Sequence, residues 1–186
     1  MRGAILPLRE MKHLLPSLFW IAGAGLCQSP GPLTEGLNRR YETAKLNTIE
    51  AAEFMPADQF QFRLTPAQRA YSEWFAHTVV MNYSLCASIG GETPPEVKGP
   101  PAATPKAEII GELRKSFAYC DESYRRMNDQ KAWEEREARG RKYYPADVMI
   151  NHIVALNEHY GNLVGYLRSK GITPPTTARV EKARKK

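Results

Sequence analysis

Apolar positions recur along this chain at three- and four-residue steps in four long stretches, and alternation of the strand type is missing. The first stretch runs from Thr34 to Met55, with Leu37, Tyr41, Ala44, Thr48 and Ala51/Ala52 on one stripe and Pro56 as its stop. Ala57 to Thr65 reads as a loop whose Phe60 and Phe62 pack back on the helices. Thr65-Pro66 has the form of an N-cap followed by a first-turn proline, and predicts a second helix to about Ile89. Its expected inward face holds Trp74, His77/Thr78, Met81, Leu85 and Ser88, and Gly90-Gly91 ends it. The third helix is expected from Lys106 to about Asn128, with Ile109/Ile110, Leu113, Phe117, Cys120 and Tyr124 as its stripe.

Between the second and third helices, Glu92 to Pro105 carries five prolines and predicts a semi-rigid crossover without regular structure. Asp129 to Tyr144 is highly charged and reads as a short exposed helix or a strap, with Trp133 as its apolar anchor. Pro145 opens a fourth helix that runs to Lys170, and Gly171 is its stop. Four amphipathic segments with one long crossover predict an all-α four-helix bundle over residues 33–176.

Composition sharpens this picture at the two ends. The formal charge of the 186 residues is +6. Arg2, Arg9 and Lys12 against Glu10, with five basic residues against Glu181 after Thr177, account for all of it. The bundle is therefore formally neutral and lacks the basic face that nucleic-acid binding requires. Residues 177–186 read as a basic, disordered tail. Near the front, Met11-Lys12-His13 precedes a mostly apolar run from Leu14 to Leu26 with small residues at Ala22 and Ala24. This is the pattern of a secretory signal, and it is too short to span a bilayer comfortably. Residues 1–27 are thus expected to be a signal peptide, leaving an exported protein, periplasmic or extracellular, with no membrane segment after cleavage. A phosphate loop, a CxxC pair and a Ser–His–Asp pattern are all lacking in the sequence.

Histidines supply the candidate chemistry. His77 lies on the second helix, and His152 and His159 lie on the fourth. Imidazoles that meet in a bundle core are natural ligands for zinc, nickel or iron(II). Three segments resemble one family in order along the chain. Phe75-Ala76-His77 through Asn82-Tyr83-Ser84-Leu85-Cys86 is similar to the second-helix motif of DinB-like proteins, and Ser116-Phe117-Ala118-Tyr119-Cys120-Asp121 to their third helix. Asn157-Glu158-His159-Tyr160-Gly161-Asn162-Leu163, with Gly171 and Pro174-Pro175, resembles their fourth helix and its exit.

The resemblance implies a four-helix bundle and a three-histidine metal centre, with one histidine from helix two and two from helix four at i, i+4. It also implies a metal-dependent hydrolase or thiol transferase. His77 matches the first ligand and His159 the last. The position four before His159 is Ala155, a departure that weakens the site. His152 lies on nearly the same face, but about 10.5 Å from His159 along the axis. Two classes of function follow: a metal-dependent enzyme with an atypical site, or a binding or structural bundle that has lost its chemistry. The substrate, a small molecule in the first case, is not specified by the sequence, and a homodimer is allowed.

Cys86 and Cys120 fall late in helices two and three, within the motifs that carry the resemblance. In an oxidising compartment they are candidates for a disulfide. The alternative is two buried thiols that act as small apolar side chains.

Overall fold

The computed structural model describes residues 29–101, 103–138 and 140–185. The expected signal peptide, Cys27 included, lies outside them. Four long helices form the bundle: α1 (Pro32–Phe54), α2 (Tyr71–Gly90), α3 (Lys106–Arg125) and α5 (Pro145–Ser169). A 3-10 turn (Ala57–Gln59), a short helix α4 (Asp129–Ala132), two strands β1 (Arg136–Ala138) and β2 (Arg141–Tyr143), and a last helix α6 (Pro175–Arg184) make up the other described elements. The all-α four-helix architecture is as expected, with α2 packed chiefly on α3 and α5, and α1 on α5.

Several helix ends have a chemical reason. The carboxylate of Asp129 on α4 accepts from the backbone N–H groups of Leu33 and Thr34, at 3.2 and 2.8 Å, capping α1 from across the fold. The left-handed Gly91 and Gly171, with φ of 75° and 71°, turn the chain out of α2 and α5. The start of α2 differs from expectation: residues 65–68 form turns and bends, and the helix begins at Tyr71. Its first amides are already satisfied there. Tyr71 and Ser72 donate to the carbonyls of Phe62 and Phe60, both at 2.9 Å, and Glu73 accepts from the Ala70 N–H at 2.6 Å.

The core is aromatic at one end of the bundle. Phe60 stacks on Phe75 with ring centroids 5.6 Å apart, and Tyr71 meets both edge-on. This packing also sets the rotation of α2. Beyond its first turn, its buried positions are Phe75, Thr78, Val79, Asn82, Cys86, Ala87 and Ile89, while Trp74, Met81 and Leu85 flank that stripe. The inward face is therefore turned from the expected one, and His77 is exposed rather than inward.

Two further segments depart from expectation. The charged strap after α4 contains an antiparallel hairpin, with Arg136 opposite Tyr143. Arg136 Nη1 donates to the Ile89 carbonyl at 2.6 Å, and the Tyr143 hydroxyl to that of Ser88 at 3.1 Å. The hairpin so covers the open carbonyls at the end of α2. The basic C-terminal segment is helical as α6 rather than disordered. Its Arg179 bonds Glu50 and Asn47 of α1, and the Thr176 N–H donates to the Tyr160 hydroxyl at 3.1 Å.

Candidate metal centre

The histidines expected to share one site fall into two groups. His77 of α2 and His159 of α5 face one another with ring centroids 5.1 Å apart. Trp74 lies against His159 at 5.3 Å, and the guanidinium of Arg69 sits 5.2 Å from the Trp74 ring. The Thr78 hydroxyl donates to the Trp74 carbonyl at 2.8 Å, so its oxygen is free to accept from His159 Nδ1 at 3.3 Å. That assigns the proton of His159 to Nδ1 and leaves the lone pair on Nε2, the form in which an imidazole binds a metal. Burial, then His77 and Arg69, lower the His159 pKa to about 4. Burial and Arg69 also lower that of His77. Both rings are neutral at neutral pH, as ligands must be. Ala155, one turn before His159, offers no ligand atom. The residues present therefore fit two-nitrogen metal binding, short of the three protein ligands of a usual catalytic centre.

His152, by contrast, is fully buried in the core. Its Nε2 lies 3.0 Å from Asn82 Oδ1, and its Nδ1 lies 3.2 Å from the Tyr124 hydroxyl. Both ring nitrogens thus have partners, and burial followed by the charge of His159 lowers its pKa to about 3. Cys86 and Cys120 are joined by a disulfide, with Cα atoms 5.1 Å apart, beside this ring. Cys86 Sγ, Cys120 Sγ and a ring nitrogen of His152 all lie within 4.8 Å of one another, a His/Cys group of a kind that can hold a metal ion. So the structure brings His77 to His159 and His152 to the cysteines. Asn82, Ser116 and Tyr124 complete the second group. The signal for them was polar residues at core spacing: Asn82 and Cys86 at i, i+4 on α2, and Ser116, Cys120 and Tyr124 at the same step on α3.

Known proteins support the fold. No protein-family model and no curated protein matches the sequence. Among solved structures, a DinB-like protein from Bacillus cereus superposes with a TM-score of 0.63 at 19% identity, over 76% of this chain and 95% of that one. A mycothiol-dependent maleylpyruvate isomerase superposes with a TM-score of 0.57 at 16% identity, over 73% of this chain and 63% of that one. The fold is thus that of DinB-like proteins. No described helix is long and apolar enough to cross a membrane.

Proposed function

We propose that this chain, with its DinB-like fold, is an exported metal-dependent enzyme of the hydrolase or thiol-transferase class whose ion is held by His77 and His159. The observation that carries this reading is the facing pair itself: two neutral imidazoles 5.1 Å apart, one with its tautomer set by Thr78. A bound zinc, nickel or iron(II) ion would supply the Lewis acidity that turns water or a thiol into a nucleophile at neutral pH. The chain's own residues bind and orient. Thr78 fixes His159. Trp74 brings an indole N–H that is buried without a hydrogen-bond partner, and Arg69 brings a positive charge over the same ring. Both favour a small-molecule substrate with acceptor or anionic atoms. The thiol-transferase alternative draws on the structural neighbour that depends on mycothiol. Export draws on the pattern of residues 1–27, and a disulfide in the core is in keeping with an oxidising compartment.

A second reading, a non-catalytic binding or structural bundle, is favoured by Ala155 alone. Metal analysis separates the two. Oxidised protein incubated with zinc, nickel or iron(II) and then desalted should retain close to one equivalent of one of them, and His77→Ala should lose it. Native protein that retains none of the three would establish the second reading.

A further inference from the structure

The ring of His152 sits beside two cysteine sulfurs that are joined as a disulfide. Its tautomer follows from a chain of hydrogen bonds. The Ser116 hydroxyl donates to the Leu113 carbonyl at 2.8 Å, so its oxygen accepts from Asn82 Nδ2 at 3.0 Å. That turns Asn82 Oδ1, an acceptor only, toward His152 Nε2 at 3.0 Å. Nε2 therefore carries the proton, and the lone pair of the ring is on Nδ1. Nδ1 in turn lies 3.8 Å from Cys86 Sγ. In a tetrahedral site with metal–sulfur bonds of about 2.3 Å and metal–nitrogen bonds of about 2.0 Å, sulfur and nitrogen ligands stand about 3.5 Å apart. The spacing is already near that value. The amide that fixes the far nitrogen is the outer partner that metal-binding histidines usually have. The Tyr124 hydroxyl, which also lies 3.3 Å from the Met149 carbonyl, keeps a partner when Nδ1 turns to another group.

We infer that Cys86, Cys120 and His152 form a redox-gated site for a thiophilic cation of the zinc class, closed by the disulfide and opened by its reduction. A dithiol reductant would give its two hydrogens to the disulfide, leaving two cysteine thiols and an oxidised dithiol. The cation would then displace both thiol protons and take two thiolates and His152 Nδ1 as ligands. Asn82 and Ser116 are positioning residues. This site is independent of the His77–His159 pair, which has no sulfur ligand.

The test uses the full chain, oxidised or reduced by a phosphine (which becomes the phosphine oxide, with water as the oxygen donor), under anaerobic titration with cobalt(II) alone. Helix content is followed by far-ultraviolet circular dichroism throughout. Reduced protein should bind one equivalent with sulfur-to-cobalt charge-transfer absorption, and oxidised protein should show no such band. Cys86→Ser should lose the band, whereas His77→Ala should keep it. Asn82→Ala should weaken binding roughly tenfold or more. Reduced, helical protein without the band would overturn the inference, as would a band that survives in Cys86→Ser or a collapse of helix content on reduction.

Discussion

Asn82 of α2 and His152 of α5 meet in the centre of the bundle at 3.0 Å, each fully buried. A polar pair at such a place stabilises only while both partners are present. Asn82→Ala would leave the His152 N–H buried without an acceptor, at a cost of about 2–3 kcal/mol. Urea unfolding of the variant should show this as a lower midpoint with an unchanged slope.

Acid should loosen the same centre. The His152 pKa falls from an ordinary 6.5 to about 3 on folding, so the unfolded chain takes up its proton first. Stability from this group is full above pH 6.5 and is lost as pH falls toward 3, by up to roughly 1.4 kcal/mol per pH unit. His159, lowered to about 4, acts in the same direction and less strongly because it is partly exposed. His152→Gln should therefore flatten the pH dependence of the unfolding free energy between pH 6.5 and 4.

The disulfide should stabilise the fold by constraining the unfolded chain. With its ends 34 positions apart in the sequence, the loop-entropy relation gives about 3–4 kcal/mol. Denaturant midpoints of oxidised protein and of the Cys86→Ala/Cys120→Ala double variant measure the difference. Equal midpoints would show that the bond closes without restricting the unfolded state.

Export makes a prediction of its own. Protein recovered from its host should begin between about Gly25 and Gln28 by mass spectrometry. An intact Met1 or Met11 terminus on soluble cytoplasmic protein would contradict export.

Helix positions were largely legible in the sequence, because Pro145, Gly91, Gly171 and the stripe on α3 are local signals. The hairpin was not. Its strands, Arg136-Glu137-Ala138 and Arg141-Lys142-Tyr143, have no apolar alternation, and what places them is bonding of Arg136 and Tyr143 to the end of α2. The charge run that ends the chain looked solvated, because the partners of Arg179 are more than 120 residues away on α1. The pairing of His77 with His159 came from the family resemblance. The separation of His152 came from the fold, since seven residues return a side chain to the same face but two turns along, beside different neighbours.

In the proposed site, His77 and His159 share one metal position, and Ala155 stands where a third ligand would be. Isothermal titration of oxidised native protein and Ala155→His with zinc or nickel tests it most directly, because the substitution restores the i, i+4 pair with His159. One site is expected in both proteins, tighter in Ala155→His by at least about tenfold, which is about 1.4 kcal/mol. Equal, weak binding by the two proteins would contradict it.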